Sequence, residues 1–122
     1  MITFRRAVLA AVIFASGAAL AYAATTRGEL SGDWFVYSGS LSERGAPTAK
    51  DSKVWMEITG PLALQMYNGL GKSAELKDSD VCGEGVYRER GEINCSLEPG
   101  EGARCWVNFD LRTGKVWGGT IC

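Results

Sequence analysis

Two alternating segments, residues 93–97 and 103–111, flank the run Glu98-Pro99-Gly100-Glu101-Gly102, and each carries one cysteine. Alternation sends successive side chains to opposite faces of a strand, and a run so rich in Pro and Gly favours a turn. A hairpin centred on Gly100 sets Cys95 opposite Cys105. It places Ile93, Leu97, Val107, Phe109 and Leu111 on the cysteines' side, the expected core face, and Trp106, Asn108 and Asp110 on the other. The last third of the chain is therefore expected to be an antiparallel sheet.

A second turn, Thr113-Gly114, leads into residues 115–122. Read as a two-residue turn, it pairs position 112 with 115, Asp110 with Trp117, and Cys105 with Cys122. Cys105 cannot bond both partners. The four cysteines (Cys82, Cys95, Cys105, Cys122) imply two disulfides. Loop entropy separates Cys95–Cys105 with Cys82–Cys122 from Cys82–Cys95 with Cys105–Cys122 by only about 0.5 kcal/mol. The first arrangement is preferred, because the second needs strand register to persist to a frayed C-terminus, and both stay open. Structural zinc is disfavoured by cysteine intervals of 13, 10 and 17 residues and by the absence of histidine.

Upstream, residues 33–41 (DWFVYSGSL) are aromatic and β-branched enough for a first strand, and residues 42–52 form a polar loop with Pro47. Residues 53–59 alternate, with Val54, Met56 and Ile58 on one face and Trp55, Glu57 and Thr59 on the other. Gly60-Pro61 opens a helix over 61–70, with an apolar stripe of Ala63, Met66, Tyr67 and Leu70 and a stop at Gly71. Residues 86–97 read as one strand. The expected fold class is α+β: an antiparallel sheet of about five strands, in the order β, β, α, β, β, β, with one packed helix and two disulfides.

Arg5 and Arg6 precede an uncharged apolar run that ends in Ala21-Tyr22-Ala23, an A-x-A cleavage pattern. Residues 1–23 are expected to be a secretory signal peptide and residues 24–122 a single small disulfide-stabilised domain. Removing 23 of 122 residues leaves 99, and losing Arg5 and Arg6 takes the net charge from −1 to −3. The alternative is an uncleaved anchor making the chain a membrane-anchored accessory subunit, since the apolar run is 18 residues long. The expected location is periplasmic or secreted, with membrane contact only during export unless the leader is retained.

With no histidine in 122 residues, every Ser-His, Cys-His or His-metal mechanism is excluded. No C-x-x-C pair exists for dithiol redox chemistry. The net charge and the lack of a basic cluster after the leader disfavour nucleic acid. The mixed-sign run Arg88, Glu89, Arg90 and Glu92 reads as a charged edge that discourages aggregation. Asp78, Asp80, Gly83 and Glu89 meet positions 1, 3, 6 and 12 of the calcium loop D-x-[DN]-x-[DN]-G-x5-E, but Cys82 stands where an oxygen ligand is needed. Asp78, Asp80 and Glu89 are thus a weak calcium candidate, and no cofactor is implied.

The main surface signal is aromatic. Trp55 lies on the Glu57 and Thr59 face, while Trp106 and Trp117 fall together on the polar side of the sheet. Large apolar rings among polar residues mark a protein-binding patch, so Trp55, Trp106 and Trp117 are the candidate partner-binding residues. The competing reading is a second small core, with the first strand or the 42–52 loop folded over them.

The segments ITGPLALQMYNGL and INCSLEPGEGARCWVNFDL resemble small secreted bacterial α+β disulfide proteins of unassigned role. The shared pattern is a strand ending in Gly60, a helix with Ala63, Tyr67 and Leu70, and a hairpin with Cys95 and Cys105. That resemblance implies a fold and favours Cys95–Cys105 as the shared bridge. Gly32-Asp33-Trp34 is similar to the G-x-W that opens lipocalin-like barrels, although 99 residues are short for eight strands, and Trp34 is expected to anchor the core. The sequence thus points to a non-catalytic exported domain that binds another protein, of inhibitor, immunity or envelope-accessory type. A small-ligand or calcium-binding domain is the alternative.

Overall fold

A computed structural model of the chain describes residues 25–76 and 85–118. The elements are β1 (Ser31–Gly39), β2 (Arg44–Gly45), β3 (Lys53–Thr59), α1 (Gly60–Leu70), a 3-10 turn (Lys72–Ala74), β4 (Val86–Arg90), β5 (Ile93–Glu98), β6 (Gly102–Asp110) and β7 (Val116–Trp117). All strand pairs are antiparallel and form one sheet in the order β2-β1-β3-β6-β5-β4, with β7 also on β6. The fold is α+β, an antiparallel sheet with one α-helix among the described residues.

The cysteine hairpin has the expected register, with Cys95 opposite Cys105 and Leu97 opposite Ala103. The two cysteines are bonded, their Cα atoms 4.0 Å apart, and both are buried. That bond excludes Cys105–Cys122. Cys82 and Cys122 lie outside the described residues.

The stretch 86–97 is a hairpin rather than one strand. Gly91 takes a left-handed φ of 59°, and Arg90 pairs with Ile93 across a two-residue loop. Together with the short β2, this raises the count from about five expected strands to seven among the described residues. Only glycine adopts that backbone without strain, and the turn signal at Gly91 lies hidden among charged neighbours.

The second hairpin closes on a longer loop than Thr113-Gly114 suggests. The Asp110 carboxylate accepts hydrogen bonds from the Arg112 and Thr113 N–H groups at 2.8 and 3.2 Å, while the Asp110 N–H donates to the Lys115 carbonyl at 2.7 Å. This Asx turn places Trp117 opposite Asn108 instead of Asp110. The shift is two residues, so Trp117 keeps the face expected for it. On the same side of β6, Asn94 of β5 pairs with Trp106.

Helix α1 begins with Pro near its start, where a missing N–H costs nothing, and ends at Gly71 with φ 81°. Its stripe of Ala63, Tyr67 and Leu70 is buried, with Met66 partly so, against Ile58, Cys95, Ala103 and Cys105 of the sheet. Burying a side chain such as Leu70 contributes about 2 kcal/mol. The last helical turn is held from β4: Arg88 donates to the Tyr67 carbonyl at 2.9 Å and Arg90 to the Leu70 carbonyl at 3.0 Å. These two arginines do not simply form a charged edge. They satisfy helix carbonyls that lack partners and place positive charge at the negative end of the helix.

Candidate functional site

Register assigns every strand residue to one of two sides. The helix side carries Ile58, Met56 and Val54 of β3, Ala103, Cys105, Val107 and Phe109 of β6, and Trp34 and Val36 of β1. The opposite side carries Phe35, Tyr37, Trp55, Glu57, Trp106, Asn108, Ser96 and Tyr87.

That opposite side holds a second core, as the competing reading of the tryptophan face expects. Tyr37, Trp55, Tyr87 and Trp106 form a buried cluster, with Phe35 and Leu41 packed against it. Phe35 stacks on its cross-strand neighbour Trp55 at 4.8 Å between ring centroids, and the Arg44 guanidinium lies 4.4 Å from the Phe35 ring centre. The Trp106 indole N–H donates to the Glu57 carboxylate at 2.9 Å. The Tyr37 hydroxyl donates to the buried Asn108 side-chain oxygen at 3.1 Å, and burial pushes its pKa above the usual phenol range.

Trp55, Trp106 and Trp117 therefore do not make an exposed patch. Trp55 is 7% exposed and Trp106 2%, and Trp117 is half-buried. Phe35, Tyr37 and Tyr87 supply enough ring surface on the same side for the indoles to bury against, and the indole N–H of Trp106 finds a carboxylate inside. Alternation identified the shared face but could not reveal how many aromatics converge on it.

The exposed tryptophan is Trp34, at 70%. It does not anchor the core. Helix α1 covers the end of the sheet where Ile58 pairs with Cys105, and the strands continue beyond it. There Trp34, Met56 and Val107 lie in one cross-strand row, and Val36, Val54, Phe109 and Val116 in the next. Met56, Val107, Val36, Val54 and Phe109 are only half-buried. Val116 is exposed, as are Leu30 and Leu62 near the helix start. A groove bounded by Leu30, Trp34, Met56 and Ile58 runs into another lined by Leu30, Pro61 and Leu62. Ile93, Leu97 and Leu111, expected in the core of this side, are exposed as well, because an eleven-residue helix is shorter than the sheet it covers. The signal in the sequence is the unbroken apolar run Trp34-Phe35-Val36-Tyr37 of β1, which puts apolar side chains on both faces of the strand.

For calcium, Asp78 and Asp80 lie outside the described residues, and Glu89 is exposed on β4 opposite Asn94. Among the described residues no cluster of three or more potential metal ligands occurs, and no helix is long and apolar enough to cross a membrane. The proposed leader, residues 1–23, also lies outside them.

The fold and this surface define a small disulfide-bonded α+β domain with an incompletely covered apolar sheet face. No known protein family matches the chain, and neither does any curated protein or solved structure.

Proposed function

We propose that this chain is a non-catalytic, exported domain that binds another protein through the apolar end of its helix-side sheet face, centred on Trp34. The observation that carries this reading is a tryptophan 70% exposed at the head of an in-register apolar row. Contiguous exposed apolar surface marks interaction sites, and tryptophan is the side chain most enriched among binding hot spots. The complete lack of histidine supports a binding role over a catalytic one. The A-x-A leader pattern and an even number of cysteines support export, with Cys82 and Cys122 forming the second disulfide.

The test compares the wild-type chain with Trp34→Ser, each cross-linked in the envelope of its host. The captured protein is then purified and titrated against both chains. Trp34 is exposed, so the substitution leaves folding intact while weakening the complex about 30-fold or more. Equal affinity of the two chains, or a wild-type chain that retains no protein, would refute the proposal.

A further inference from the structure

The two edges of the sheet are treated differently. At the β4 edge, Glu75 forms a bridge with Arg88 and the Leu76 N–H donates to the Tyr87 carbonyl at 2.8 Å, so that edge is covered. At the other edge, β2 pairs only with Ser38 and Gly39 of β1. Among the described residues nothing pairs with the outer side of Ser31 to Tyr37. Natural edges are usually blocked by lysine, proline or a bulge. This stretch, SGDWFVY, has no lysine or proline and pairs with β3 without interruption.

The hydrogen-bond phase shows which backbone groups are free. Leu111 N–H donates to the Ser52 carbonyl at 3.0 Å, so the alternating ladder directs Val54, Met56 and Ile58 toward β6. The 4.0 Å Cα separation of Cys95 and Cys105 agrees, since directly opposed residues come that close only where they do not exchange hydrogen bonds. Trp55 and Glu57 then bond to Phe35 and Asp33, leaving the N–H and C=O of Gly32, Trp34 and Val36 pointing outward from β1. A row of alternating donors and acceptors of this kind is matched by an extended chain.

We infer that two copies of this chain pair β1 to β1, antiparallel, about a two-fold axis through Trp34. The midpoint of the free stretch is Trp34, so this register uses all of it. Trp34 opposes its own copy, Gly32 opposes Val36, and every outward N–H meets an outward C=O. Shifting the axis to Asp33 sets two carboxylates directly opposite each other, which is destabilising. Shifting it to Phe35 drives the partner's Gly32 against Ser38, whose outer side β2 already occupies. In the Trp34 register, Asp33 faces Phe35 and the only charge on the edge has no like neighbour. The two-fold axis stands perpendicular to the sheet, so the apolar rows headed by Trp34 join across the interface. Such an interface is isologous and closes at two subunits.

The inference rests on the β1 edge and is independent of any other binding partner. It is tested by sedimentation equilibrium of the exported chain and of Val36→Pro, with amide hydrogen exchange measured on the wild type. Proline at position 36 removes an N–H that points away from β3, so the intramolecular ladder survives. The wild type is expected to be a dimer, with the Trp34 and Val36 amides protected and protection falling on dilution. Val36→Pro is expected to weaken the dimer about 100-fold or more, two hydrogen bonds being lost per interface. A wild-type chain that stays monomeric with fast-exchanging Trp34 and Val36 amides would overturn the inference. So would a folded Val36→Pro chain that dimerises as tightly as the wild type. If the variant does not fold, the dilution-dependent protection of these two amides decides.

Discussion

Replacing Trp106 by alanine tests whether the second core stabilises the fold. The indole is 2% exposed, packed with Tyr37, Trp55 and Tyr87, and its N–H is bonded to Glu57. Removing so large a buried ring costs about 3 to 5 kcal/mol in transfer and cavity terms. With a urea m-value of about 1.5 kcal/mol/M, the unfolding midpoint falls by about 2 to 3 M. Trp34→Ala, at an exposed position, stays within about 0.5 kcal/mol of wild type. Circular dichroism in urea reads both without relying on tryptophan fluorescence. A cost below about 1 kcal/mol for Trp106→Ala, or above about 2 kcal/mol for Trp34→Ala, would refute the division into a buried and an exposed tryptophan.

Peptide mapping of the unreduced protein is expected to show Cys95–Cys105 and Cys82–Cys122. Replacing Cys95 and Cys105 together by alanine should cost about 3 kcal/mol from an eleven-residue loop, read as a lowered melting temperature. Gly32→Ala would drive a Cβ into the Glu57 carbonyl oxygen at a φ of 148°, so it should destabilise by at least about 1 to 3 kcal/mol in urea titration. Asp51 accepts from the Gly39 N–H at 2.8 Å and pairs with Lys53, which together hold its pKa below the usual carboxylate value. A lowered folded-state pKa contributes stability that is complete above the unfolded value and is lost as pH falls through the folded one. Acid titration should therefore show a stability loss below about pH 4 that Asp51→Asn lacks. Equal acid sensitivity of the two proteins would count against this contact.

Local pattern was a good guide wherever a single residue type or spacing settles the geometry. The Cys95–Cys105 register followed from the turn between the two alternating segments, and the helix followed from Pro61, Gly71 and the stripe of Ala63, Tyr67 and Leu70. It failed where a turn is built by a side chain or a single glycine among charges. Asp110 capturing two N–H groups lengthened one hairpin loop, and Gly91 split a strand in two. The candidate site was the least legible part. Trp55 and Trp106, on a face whose neighbours are polar in the sequence, are buried in a second core, and Trp34, whose strand position predicts a core anchor, is exposed.

The α+β class, the cysteine hairpin and the lack of histidine are legible from the residues alone, because alternation, turn residues and composition act over a few positions at a time. Which side of each strand meets water is set by packing across the whole fold. Burial depends on what other elements bring to a face: four other aromatic side chains share a cluster with Trp106, while a short helix stops before it reaches Trp34. The same applies to the outer side of Ser31 to Tyr37 in β1, which has no strand partner among the described residues, since a strand's neighbours are set by the pairing of all the others.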